Sequence, residues 1–164
     1  MNHSPLRIDK EGRWFYQDEE ITHPKTYLLY CRHLTRDESG RIILQIGREK
    51  CPVEVEDAPF VVKTLDFILS DGGKLKSVSL TLNDQTQEPL DPLTIRIGAG
   101  NVPYCQVRGG IFEARFSRAA YQLLASFIQH DAKGTRFFLT IDGKEYNLTT
   151  PPPLLDISPP KRAR

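Results

Sequence analysis

Apolar residues recur at every second position through most of the chain. Val53 and Val55 alternate with Glu54 and Glu56, Val78, Leu80 and Leu82 alternate with Ser77, Ser79 and Thr81, and Ile42, Leu44 and Ile46 and then Phe137, Leu139 and Ile141 keep the same spacing. Period two belongs to strands with one buried face. Residues 60–69 form a longer apolar strand that leaves Asp57-Ala58-Pro59 and turns at Asp71-Gly72-Gly73. Gly109-Gly110 sits between residues 104–108 and 111–116 as a hairpin turn, since glycine supplies positive φ without strain. Asp142-Gly143 does the same before residues 145–148, and Gly12–Tyr16 with Glu20-Ile21 flank polar Gln17-Asp18-Glu19 as a first hairpin.

Two stretches change to helical spacing. Thr22-His23 caps a helix with Pro24 in its first turn and a stripe of Tyr27, Leu28, Cys31 and Leu34. Ser117 caps a second, whose apolar face is Ala120, Leu123, Leu124, Phe127 and Ile128. Residues 1–11 are expected to be loose, residues 83–92 to be a polar loop holding the domain boundary, and Leu93, Ile95 and Ile97 to be a short strand.

Laid from Tyr27 and from Tyr121, the chain runs in step: helix, Asp37 against Asp131, Gly40 against Gly134, an alternating strand, a turn and a returning strand. The expected fold is therefore α+β with two tandem similar halves, each an antiparallel sheet packed against one main helix. Residues 12–84, with linking strands from about 60, make the first unit and residues 93–150 the second. The Pro-rich basic tail, 151–164, is expected to be extended or disordered.

Composition narrows the function. The 164 residues carry 22 basic and 21 acidic side chains, for a net charge of +1, so no global field points to nucleic acid or an anionic membrane. No apolar run approaches the roughly 20 residues of a membrane span, and Met1-Asn2-His3-Ser4-Pro5 lacks a signal-peptide layout, which together favour a cytoplasmic protein. Cys31, Cys51 and Cys105 are odd in number and far apart, and are expected to be buried fillers. No HExxH or paired-histidine spacing occurs, and neither a metal nor a cofactor is expected.

The candidate chemistry is local. Glu56 and Asp57 are adjacent acids at an element boundary; turn acids are common, but a shielded carboxylate there could hold a ligand donor. Trp14, the only tryptophan, is by type more often a core plug than a stacking platform. Gly98-Ala99-Gly100 follows a strand as a phosphate loop would, but no helix follows it. Arg115, between Ala114 and Phe116, is expected on a solvated outer face; with Arg108, Arg118 and the tail it is all that favours nucleic acid.

Arg13-Trp14-Phe15, Glu49-Lys50, Val55-Glu56-Asp57-Ala58-Pro59-Phe60-Val61 and Pro103-Tyr104-x-x-Val107-Arg108-Gly109-Gly110 resemble the motifs of the bacterial domain of unknown function 1285 family, over residues 12 to about 148. The resemblance implies a duplicated α+β structure, a second half like a pleckstrin-homology fold, and a regulatory role with a nucleotide-like ligand at the domain seam. Lipid binding does not follow from such a fold. The expected function is a non-enzymatic ligand-binding module whose site is built from Trp14, Glu56, Asp57, Tyr104 and Arg108, with a protein partner also compatible. Arg108 would clamp phosphate or carboxylate, or else bridge Glu56 or Asp57 to hold the halves together. The alternative is a hydrolase or transferase using Glu56 and Asp57, although adjacent strand residues point to opposite faces.

Overall fold

A computed structural model describes residues 4–148, so the expectation for the tail lies outside the described residues. In chain order the elements are β1 (Leu6–Ile8), β2 (Trp14–Tyr16), β3 (Glu19–Glu20), α1 (Pro24–Arg32), β4 (Leu34–Arg36), β5 (Ile42–Ile46), β6 (Glu49–Val55), β7 (Phe60–Leu69), β8 (Leu75–Leu82), β9 (Gln87–Pro89), β10 (Arg96–Ile97), β11 (Pro103–Val107), β12 (Phe112–Phe116), α2 (Arg118–Ala125), β13 (Gln129–His130), β14 (Phe137–Ile141) and β15 (Lys144–Asn147). The fold is α+β with two similar halves. One sheet has the order β3-β2-β1-β6-β5-β4 and the other β9-β8-β7-β12-β11-β10, which is the same topology, and β13-β14-β15 forms a small third sheet. Each large sheet is antiparallel except at its middle, where β1 runs parallel to β6 and β7 parallel to β12.

The unit beneath this symmetry is a three-stranded meander, and its first turn has one construction. Asp9, Asp37, Ser70 and Gly98 each donate their backbone N–H to the carbonyl four residues on and accept from the N–H three residues on, at 2.7–3.1 Å. The fourth residue of each turn is left-handed: Gly12, Gly40 and Gly73 at φ 81°, 87° and 78°, and Asn101 at 62°. A type I turn closed by a left-handed residue fits the right-handed twist of the strands it joins. Asp9 and Asp37 tighten it further, each accepting from the N–H groups two and four residues on and from the arginine side chain at the turn's end. Asp131 builds a version one residue longer, bonding Thr135 and Arg136. The meander-helix-meander order thus occurs around α1 and again around α2, while β7 to β9 lie between.

The sequence places most of this correctly, but Phe127 and Ile128, expected on the second helix, lie beyond the end of α2, each large sheet has a parallel pair at its middle, and other segments differ as well. Residues 6–8, expected to be loose, insert between β2 and β6 with Leu6 and Ile8 buried. Leu34 belongs to β4 and not to the helix, which ends at Arg32. Leu93 sits in a 3-10 turn, Pro92–Thr94, and is exposed. The two sheets meet at residues 56–59, so the joint in the strand order precedes the polar stretch 83–92, and part of that stretch pairs as β9.

One core runs through both halves, from Ile8, Trp14 and Cys31 through Phe60, Val62 and Leu80 to Phe116, Ala120 and Leu124. A polar clasp holds the halves across it. The Tyr27 hydroxyl on α1 donates to the Gly12 carbonyl at 2.7 Å and accepts from Asn83 Nδ2 at 2.7 Å, while Asn83 Oδ1 accepts from the Val61 N–H at 2.9 Å. Gly12 has no room for a side chain, since a Cβ would lie 3.0 Å from both Asn83 Nδ2 and Val61 Cγ2. Arg36 on β4 adds a second tie, donating to the Ile111 carbonyl at 2.8 Å.

Candidate functional site

The clasp presses the β1–β2 turn of the first half against β7 of the second, and a cleft of about 620 Å³ opens beside that contact. The first half contributes Lys10 and Glu11. From the second come Lys63 on β7, Arg115 on β12, and Arg118 and Tyr121 on α2, over a floor that includes buried Val61 and Phe116. The β10–β11 turn, Gly100 to Val102, forms a further wall, so the glycine pair there shapes the cleft as a hairpin turn.

Local structure explains why the cations point inward. The β7–β8 register shifts between Val62 and Thr64, leaving Lys63 as the extra residue of a bulge that re-aims its side chain. Ser117 caps α2 by accepting from the Ala120 N–H at 3.1 Å, which sets Arg118 at the helix start beside the cleft. Among the described residues, Lys10, Lys63 and Arg118 have no carboxylate within ion-pair distance. Glu11, the acid on the wall, leans on Arg13 at 3.8 Å.

Arg115 is held from behind. Asp57, in the joint between the sheets, accepts from Arg115 Nη1 at 2.9 Å and from the Tyr104 hydroxyl at 2.8 and 3.0 Å. Arg96, Tyr104 and Arg115 are direct cross-strand neighbours on β10, β11 and β12. The Arg96 guanidinium lies 4.1 Å from the centre of the Tyr104 ring and is fixed by two bonds to Glu113 at 2.6 and 2.7 Å. Burial and then the Asp57 carboxylate push the Tyr104 phenol up to about 12, so it stays a neutral donor to Asp57. Arg115 is therefore not the freely solvated residue that its alternation suggested: its side chain is 27% exposed and ion-paired.

The expected site residues are only partly brought together. Asp57 and Tyr104 meet, and Glu56 lies beside them in sequence but is exposed, its backbone N–H bonded to the Ile8 carbonyl at 2.8 Å. Arg108 does not join them. Its guanidinium pairs with buried Asp84 and lies 4.6 Å from the centre of the Phe60 ring, while its backbone N–H donates to Glu88. Trp14 is fully buried, with its ring edge-on to Tyr30 at 5.5 Å, which corrects the idea of a stacking platform. Its indole N–H is buried with no hydrogen-bond partner among the described residues, and burial pushes the neighbouring Cys31 thiol up to about 12. Sequence reasoning missed Lys10 and Lys63. Lys63 carried one signal, a charge interrupting the apolar run Phe60-Val61-Val62.

No curated protein matches the sequence. The family model for the N-terminal domain of DUF1285, a domain of unknown function, matches residues 1–58. The crystal structure of a DUF1285 family protein from Silicibacter pomeroyi DSS-3 is similar with a TM-score of 0.74 and 28% identity, over 90% of this chain and 80% of that one. A second, from Shewanella baltica OS155, shares the fold with a TM-score of 0.59 and 20% identity, over 75% of this chain and 91% of that one. The match to a DUF1285 N-terminal domain thus covers residues 1–58, and the architecture shared with the Silicibacter pomeroyi protein carries the resemblance to the DUF1285 family through the second half.

Proposed function

We propose that the protein is a non-enzymatic binding module for a small anionic, nucleotide-like ligand, seated in the cleft between the halves and used in cytoplasmic regulation. One observation carries this reading: Lys10, Lys63, Arg115 and Arg118 converge on one cleft from four separate elements and from both halves. In a protein of net charge +1, such a local excess of cations over a partly apolar floor is suited to an anion attached to a hydrophobic or aromatic body. Tyr121 on the wall can cover such a ring. A ligand touching both halves would stiffen the seam, which is a means of signalling occupancy. The hydrolase alternative has less to support it, because Asp57 is fully engaged by Tyr104 and Arg115 while Glu56 faces solvent.

Thermal-shift measurements with a panel of nucleotides test the reading. A ligand at 100 times its Kd should stabilise the fold by about 2.7 kcal/mol. Arg118→Ala and Lys63→Ala should each erase the shift at the same concentration, and raised salt should weaken it. A flat response across the panel, or a shift that survives both substitutions, overturns it.

A further inference from the structure

Asp57 stands behind the cleft where it neutralises one of the four cations before any ligand arrives. Its carboxylate oxygens take both available donors, the Tyr104 hydroxyl and Arg115 Nη1, at 2.8–3.0 Å. Four cations face two carboxylates, Glu11 on the wall and Asp57 behind Arg115, so the site keeps a surplus of two positive charges. We propose that the cleft selects a dianionic group such as a phosphomonoester, and that Asp57 is the residue that sets this requirement. The inference rests on the ligand-binding reading above and adds the charge class of the ligand.

The physical basis is competition for Arg115. An incoming anion within reach of that guanidinium meets the field of the Asp57 carboxylate bonded to it at 2.9 Å. A monoanion gains too little from Lys10, Lys63 and Arg118 to offset the loss of the internal partner, whereas a dianion engages both the free cations and the shared one. Tyr104 then keeps Asp57 in place: its ring is wedged under Arg96, and a Cβ on Gly98 would approach Tyr104 Cε1 to 2.9 Å. Asp57 is thus a positioning and selecting residue that does not itself need to touch the ligand.

The test uses inorganic sulfate and nitrate at constant ionic strength, followed by backbone amide NMR shifts of Lys63, Ser117 and Arg118 in the full chain. Wild type should bind sulfate at least about tenfold tighter than nitrate. D57N should tighten nitrate about tenfold and collapse the ratio. R115Q should collapse it from the other side, by weakening sulfate about tenfold, and so decides the matter if D57N does not fold. In wild type, inorganic phosphate should bind more tightly as pH rises from about 6 to 8 and it becomes dianionic, while sulfate binding stays level. Equal affinity for sulfate and nitrate in wild type, or a ratio unmoved by either substitution, overturns the dianion requirement and leaves the cleft a ligand site. Silence toward every ion in all three proteins overturns the ligand-binding reading as well. Phosphatidate vesicles should not co-sediment the protein; vesicle binding without a response to sulfate overturns the soluble source of the dianion.

Discussion

Tyr27→Phe removes one oxygen from the clasp between the halves. That oxygen donates to the Gly12 carbonyl and accepts from Asn83 Nδ2, both at 2.7 Å, and its loss leaves a carbonyl and an amide N–H without those partners in a partly buried seam. A typical intramolecular hydrogen bond contributes about 1 kcal/mol net, and stranded groups reached by some water add little more. The expected loss is about 2 kcal/mol. For a chain of 164 residues this corresponds to a fall in Tm of roughly 4–8 °C. Urea denaturation should show a lower midpoint at an unchanged slope, since the same surface is exposed on unfolding. The phenol is held neutral throughout the accessible pH range because burial raises its pKa, so the effect should not titrate. Combined with Asn83→Ala, the double-mutant cycle should return a coupling of about 1 kcal/mol. A Tyr27→Phe protein within about 0.3 kcal/mol of wild type, or strictly additive substitutions, would refute the clasp.

Arg108→Ala should destabilise by about 3–5 kcal/mol in the same denaturation experiment, because Asp84, with 3% of its side chain exposed, loses its cationic partner. It should leave ligand-induced shifts in the cleft intact, since Arg108 lines another part of the fold. The Arg41 backbone N–H, together with Ser39 and the Arg41 guanidinium, holds the Asp37 carboxyl down at about 2 against an ordinary value of 3.8. Its stabilisation is complete above pH 4 and lost as pH falls through 2, so melting across pH 4 to 2 should be less steep in Asp37→Asn than in wild type. Burial pushes the Cys31 and Cys105 thiols up to about 12. A thiol reagent at pH 8 should therefore modify only half-buried Cys51 in the native protein and all three cysteines after unfolding.

The strands legible in the sequence were those with a local cause. The alternation of residues 78–82 and the Gly109-Gly110 turn depend on neighbours a few positions away, and both appear where expected. β1 was hidden because three residues cannot display a period, and its partner β6 lies more than forty positions on in a parallel pairing. The duplication was visible through Asp37 and Asp131, but the finer repeat was also written in the chain as Asp-x-x-Gly-Arg at 9–13 and 37–41. At the site, Asp57 stood out as an acid at an element boundary and Tyr104 as an aromatic suited to stacking, but the bond between them joins residues 47 positions apart and has no local signal. Arg108 was misplaced because sequence shows a guanidinium and not its partner: Asp84, 24 residues earlier, is nearer than the acids at the joint. Lys10 and Lys63 were missed for the opposite reason, as exposed lysines look alike until the turn and the bulge aim them at one cleft.

A ligand cleft shared between the halves is tested most directly by comparing Lys10→Ala with Arg118→Ala. Lys10 comes from the first half and Arg118 from the second, and both are exposed, so neither substitution should lower stability by more than about 0.5 kcal/mol. Isothermal titration with the nucleotide giving the largest thermal shift should show both variants binding at least about fivefold more weakly than wild type. Unchanged affinity in Lys10→Ala beside a loss in Arg118→Ala would confine the site to the second half and contradict the shared seam.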